Sequence, residues 1–283
     1  TLMTVAREGG PQALRRNLVI LAAISFAAVL LVAWTGDYAQ WIAFGVGAYV
    51  VVTWGQIQSL RDRPLFALTF GDRTFLYAMA ATALIACVGG AINVWAAPFA
   101  MRTHALSPSE LGLRLGVIHT VGAVIGVIAG GWLSDKWKQR DRRAPLGMAA
   151  ISICGTLPSV LVMLLVVEVD LFLIAYASVS VFGAMWSGAT AALVQDLVLP
   201  RMRGSAAACY SLIAIVVASG TGPYWAGKVS AVTGSLTAGM LSLLILAPIA
   251  LVFLWLAAKR LPQETPEARL ALAAAAGEPA PTE

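Results

Sequence analysis

Inside its apolar stretches this chain carries few side chains able to do chemistry, and their spacing excludes most reactions. Of its two histidines, His104 lies in a connecting loop and His119 inside an apolar segment, so no nucleophile, base or set of metal ligands gathers at one depth. Cys87, Cys154 and Cys209 sit singly in apolar surroundings, without metal-ligand spacing or a secreted disulfide pattern, and read as small packing residues. An enzyme is therefore not expected, nor a catalytic residue, metal or cofactor. What remains suits binding. Polar groups within a bilayer are costly and turn toward a partner helix or a cavity, which singles out Asn93, His119, Trp186 and Ser187, with Trp95 and Tyr210 as aromatic candidates for a solute path. Each has a plainer alternative. His119 is either a proton carrier, since an unperturbed imidazole has a pKa of about 6.5, or a neutral histidine bonded to an adjacent helix. Asn93 is a ligand or an interhelical hydrogen bond, and Trp186, Tyr210, Tyr224 and Trp225 line a path or anchor the membrane interface. Arg114 attracts an anionic head group or pairs with Glu110, one turn earlier. No span carries an acidic residue near its centre, so coupling to a proton gradient would draw its carboxylate from elsewhere.

A second constellation is "GGWLSDKWKQRDRR", residues 130–143, where paired glycines precede Asp135 and then five Lys or Arg within eight residues. Gly122, Gly126 and Gly130 recur every four residues, so they share one helix face, and His119 falls on that face as well. Small residues at this spacing let backbones approach closely, which in lipid supplies packing that hydrophobicity cannot. Asp135, one turn past Gly131, can meet a neighbouring helix end or an arginine across the loop. Lys136, Arg140 and Arg143 are then available to partner carboxylates or lipid phosphate, or serve only as a positive-inside anchor.

The elements that must position these residues are membrane helices. Hydrophobic residues make up 59% of the 283 and charged residues 12%, with mean hydropathy +0.82. Soluble chains average roughly 45–50% apolar and 25% charged. Net charge +5 and pI near 9.4 would suit a nucleic-acid partner, but the basic residues fall between apolar stretches rather than along one face, so none is expected. A span needs about 20 mainly apolar residues, and eight stretches qualify: 17–35, 40–58, 75–98, 112–134, 145–167, 171–194, 205–226 and 235–258. The first is too long and too far inside the chain for a cleaved signal, and others follow it. Backbone polar groups in lipid must be satisfied within a segment, so these are helices. Taking alternate loops as one side, all of the 19 Lys and Arg except Arg102, Arg114 and Lys228 fall on the side of both termini, which is expected to be cytoplasmic. An integral multi-pass protein of the plasma (inner) membrane is the expectation, with the bilayer as its first partner. The segment from about 262, rich in Pro, Glu and Ala, reads as a flexible tail with one short helix.

"GGWLSDK" followed by "RDRRA" resembles the loop signature of the major facilitator superfamily, and three further stretches resemble its Spinster-like members. These are "VWAAPFAMRTHALSPSELG" (Trp95, Pro98, Arg102, His104, Ser107, Gly112), "VQDLVLPRMRGSAAA" (Gln195, Pro200, Arg203, Ala206) and "GTGPYWAGKVS" (Gly220, Gly222, Pro223, Gly227). The family pattern usually has an aspartate after Ser230, where this chain has Ala231. The resemblance implies an all-α bundle in which 75–258 form the carboxy-terminal six-helix half, preceded by a loop (1–16), a helix pair (17–58) that is either inserted or the fifth and sixth helices, and a linker (59–74), with 259–283 as tail. It also implies that most of an amino-terminal half, the partner of this one, is missing from the chain, whose opening resembles a loop leaving an earlier span. Gly222 and Pro223 would then pack helices. Asp135 and the basic residues after it would gate the cytoplasmic side, and two halves would rock about a midplane site. The implied activity is secondary active transport of a small organic or lipid-like solute. The alternative is a non-transporting scaffold or receptor on the same fold.

Overall fold

A computed structural model describes residues 2–104 and 107–278, and among them there are helices and no strands. The pairing of Arg114 with Glu110 lies outside the described side chains. The chain opens with α1 (Leu2–Thr35), which breaks at Gly10, φ +65°, just before Pro11. That conformation needs glycine, and the proline adds a missing N–H. Residues 2–16, expected as a loop, are thus helical on both sides of a one-residue break. Helix α2 (Tyr38–Arg61) returns against α1, and α3 (Arg63–Leu68) follows within the expected linker, started by Asp62, whose carboxylate accepts the Leu65 N–H at 3.0 Å.

Six further passes follow. They are α4 (Arg73–His104), α5 (Pro108–Lys138), α6 (Ala144–Leu165), α7 (Val169–Asp196), then α8 (Arg203–Gly220) continued by α9 (Gly222–Thr233), and α10 (Leu236–Ser242) continued through a 3-10 turn by α11 (Leu246–Arg260). The two composite passes break where proline demands it, at Pro223 and Pro248, each of which lacks the N–H that would close the preceding turn. Among the described residues seven passes are long and apolar enough to cross a membrane. The expected eighth, α2, is a 24-residue helix, long enough to span, but Gln40, Thr53, Gln56 and Gln58 keep it out of that group. Thr53 and Gln56 are used within the hairpin. Asn17 of α1 is fully buried, donates to Thr53 Oγ1 at 3.2 Å and Gln56 Oε1 at 2.7 Å, and accepts from the Tyr49 hydroxyl.

The loops bearing Arg61, Lys136–Arg143 and Arg201 collect at one end, here called the basic end. An apolar core there joins α4, α6, α7, α8 and α11 around Phe75, Leu146, Leu193 and Leu254. A second core at the opposite end joins α4, α5, α6, α7 and α10 around Phe99, Leu111, Met163 and Phe172. The carboxy-terminal segment departs from its expected flexibility. Its helix α12 (Pro266–Ala275) packs on α3, burying Ala273 and Arg269, and Arg269 lies between Asp72 and Glu264. An interior ion pair orders the segment because leaving either charge unpaired there would be costly.

Candidate solute-binding site

Helix α5 owes its position to its glycines. A Cβ at Gly122, Gly126 or Gly130 would come within 3.0 Å of Ser180, of the Val181 carbonyl or of the Met185 carbonyl, all on α7. The two backbones touch along this face, as small-residue spacing permits. Gly131, by contrast, has nothing within 4 Å, so the paired glycines have different surroundings.

That close contact leaves His119, one turn toward the opposite end, at the edge of a cavity of about 210 Å³. Asn93 enters it from α4, Thr156 from α6, and Tyr176 and Ser180 from α7, eight and four residues before Ala184, which also lines it. Asn93, His119, Thr156 and Ser180 lie in the middle parts of their helices, and Tyr176, two turns into α7, belongs to the edge of the second core. His119 Nδ1 is 3.5 Å from Ser180 Oγ, at the outer limit of a direct hydrogen bond. Ser180 Oγ already donates to the Tyr176 carbonyl at 2.9 Å. Thr156 Oγ1 is buried with no hydrogen-bond partner among the described residues, and such a group normally finds one. The wall is otherwise apolar, with Ile92, Ala123 and Val179. The arrangement can hold a mostly apolar molecule by a few hydrogen bonds, the usual make-up of a small-molecule site.

The other candidates from the sequence are elsewhere. Trp95 donates from Nε1 to the Pro223 carbonyl at 2.8 Å, and its ring fills the space a side chain at Gly227 would need. Gly222 presses on the Cys87 carbonyl, so Trp95, Gly222 and Pro223 together fasten α4 to α9. Tyr210 is buried in the core at the basic end and shares a 2.8 Å hydrogen bond with Thr190. Trp186 packs against that core, and Ser187 donates to the Ala184 carbonyl of its own helix. Asp135, Lys136, Arg140 and Arg143 are exposed at the basic end. Asp135 makes no ion pair among the described residues, and Lys136 lies over the Trp132 ring, 5.1 Å from its centroid. Neighbouring Lys138 does pair, with Asp196 at the end of α7. No group of three or more potential metal ligands occurs among the described residues.

Sequence reading passed over Thr156, Tyr176 and Ser180. The available signal was depth: each is polar and sits mid-span, and Tyr176 and Ser180 lie one turn apart on one face. It also passed over a contact at the opposite end. Asp37, between α1 and α2, accepts from Lys228 Nζ at 2.6 Å and from the Tyr224 hydroxyl at 2.7 Å, while Lys228 also donates to the Thr35 carbonyl. The hydrogen bond from Lys228, then that from Tyr224, holds the Asp37 carboxyl below the usual carboxylate range.

Fold and site together define a multi-pass α-helical membrane protein with a midplane cavity. The sequence profile of the Major Facilitator Superfamily matches residues 74–281, and the chain belongs to that family. Among curated proteins it is similar to an MFS-type efflux pump of Mycolicibacterium smegmatis, 31% identical over 195 residues, covering 66% of this chain and 45% of the pump. It is also similar to protein spinster homolog 3 of Mus musculus, 26% identical over 174 residues, covering 56% and 34%. Two solved structures of a bacterial homolog to the human lysosomal transporter Spinster share the fold. The inward-facing unoccupied form superposes with TM-score 0.62 at 21% identity over 71% of this chain and 51% of that one. The occupied form gives 0.60 at 20% identity over 69% and 51%. The chain thus spans about half the length, or less, of the relatives it matches.

Proposed function

We propose that this chain forms one half of a secondary active transporter that moves a small organic or lipid-like solute across the plasma membrane by alternating access, with its basic end cytoplasmic. The observation that carries the reading is the cavity between α4, α5, α6 and α7, apolar apart from Asn93, His119, Thr156, Tyr176 and Ser180, and bordering the second apolar core. The names of the curated relatives, an efflux pump and a spinster homolog, favour the same class. The side on which Lys and Arg concentrate supports the orientation. In this mechanism the second half of the transporter closes over the cavity, and His119 holds the solute or carries a proton with it.

The test is efflux of an amphipathic fluorescent solute from proteoliposomes containing the full-length protein, under an imposed proton gradient. Transport is expected, and His119→Gln is expected to lower it about tenfold, the loss of one hydrogen bond worth about 1.4 kcal/mol in the transition state. No flux under any gradient would leave a scaffold or receptor as the reading. Flux unaffected by His119→Gln or Asn93→Ala would remove the cavity from the path.

A further inference from the structure

At the basic end a second, larger cavity of about 590 Å³ opens between the end of α5, the end of α7, the start of α8 and α12. Its wall is amphipathic. One side is apolar, with Leu193, Leu197, Leu199 and Leu261, while Lys138, Arg142, Arg203 and Arg269 bring four cations against the two carboxylates Asp196 and Glu264. The pairing within the wall leaves cationic capacity over. Lys138 is matched by Asp196. Arg142 donates from Nη2 to the backbone carbonyl of Glu264 at 2.8 Å, not to a carboxylate. Arg203 makes no ion pair among the described residues.

Arg269 is already committed. Its side chain is only 4% exposed, with Nη1 2.5 Å from Asp72 and Nε 3.1 Å from Glu264, and none of its nitrogens is open to the cavity. The planar guanidinium forks of Arg142 and Arg203 are left to meet the oxygens of a phosphate. The cavity also lies at the ends of membrane helices: Lys138 and Asp196 are the last residues of α5 and α7, and Arg203 the first of α8. Depth, charge and an apolar wall coincide where a lipid head group meets its acyl chains, and basic pockets between helix ends take anionic head groups.

We propose that this cavity binds the phosphate-bearing head group of an anionic phospholipid, with Arg142 and Arg203 on the phosphate and the leucine wall along the first part of the acyl chains. The site is separate from the midplane cavity and does not depend on its function. A lipid seated here bridges α5, α8 and α12, and so ties the carboxy-terminal helix to the membrane-spanning bundle.

The experiment is thermal unfolding and native mass spectrometry of the full-length protein in mixed micelles with phosphatidylglycerol, with phosphatidylcholine, or with inorganic phosphate and no added lipid. Phosphatidylglycerol is expected to raise the midpoint and leave a bound lipid adduct, with phosphatidylcholine having little effect. Arg142→Gln with Arg203→Gln, both exposed and safe for folding, should weaken the adduct at least tenfold. Arg7→Gln with Lys259→Gln, which removes two cations that do not line the cavity, should leave it unchanged. Equal loss in both double variants would mean diffuse charge attraction and overturn the site. An equal effect of inorganic phosphate would make it a site for a free anion, and no preference for phosphatidylglycerol would overturn the proposal outright.

Discussion

Replacing Gly130 by valine would drive a Cβ to within 3.0 Å of the Met185 carbonyl, backbone that has no rotamer in which to yield, whereas the same change at Gly131 meets nothing within 4 Å. Overpacking of this kind costs typically about 1–3 kcal/mol. Gly130→Val is therefore expected to lower the unfolding midpoint clearly, and Gly131→Ala to leave it unchanged or raise it slightly, since alanine favours helix over glycine by about 1 kcal/mol in a helix interior. Thermal unfolding in one detergent checks both, and equal losses at the two sites would contradict the packing described. The four-residue glycine spacing made this face readable from the chain alone. It did not distinguish Gly130 from Gly131, because that depends on which carbonyl of α7 stands opposite. For the same reason Thr156, Tyr176 and Ser180 escaped notice: as isolated hydroxyls in apolar runs they are indistinguishable from residues bonded to their own helix, as Ser187 is.

Among elements, the hairpin α1–α2 is the one whose attachment hydropathy does not foretell. Length and apolar content are enough to define a helix, and the long spans emerged close to where they were expected. Which helix touches which is set by side chains far apart in sequence, such as Asn17 with Gln56, or Asp37 with Lys228. The hairpin reaches α8 and α9 through Gln40, which donates to the Gly220 carbonyl, through Phe44 beside Gly220, and through the Asp37 contact. Asp37 and Lys228 are partly exposed, so removing them should alter local opening more than global stability. Lys228→Met is expected to speed amide hydrogen exchange at residues 36–41 at neutral pH without changing exchange in α7. Because the Asp37 pKa is depressed, its contribution is complete above the ordinary value of 3.8 and is lost only as pH falls through the lowered one. In the unsubstituted protein, exchange at 36–41, corrected for the intrinsic rate, should therefore rise only under strongly acid conditions. Unaltered exchange in Lys228→Met would mean that Phe44 and Gln40 hold the hairpin without the ion pair.

At the scale of the molecule, an apolar core at each end with a mostly apolar cavity beside the second is an arrangement that can tilt as a body while keeping its interior packed, as the proposed rocking mechanism requires. The signature loop then stands out for what it does not contact. Lys138, inside the loop, is fixed to Asp196, whereas Asp135 projects into solvent without an ion pair among the described residues. An exposed carboxylate with no ion pair among the described residues gives this bundle little stability, so in the proposed mechanism its work lies in contacts made and broken with the other half. Asp135→Asn is accordingly expected to leave expression and the unfolding midpoint unchanged while slowing transport about tenfold or more, the cost of about 1.4 kcal/mol of state-specific interaction. Lys138→Gln should do the reverse, loosening the α5–α7 contact at the basic end with a smaller effect on rate. Midpoint and initial transport rate measured on the same preparations separate the two. If Asp135→Asn lowers the midpoint as much as the rate, the residue belongs to the fold of this half. If neither changes, the loop serves as an anchor for orientation, and the gating contact must be sought at the opposite end, where Asp37 and Lys228 meet.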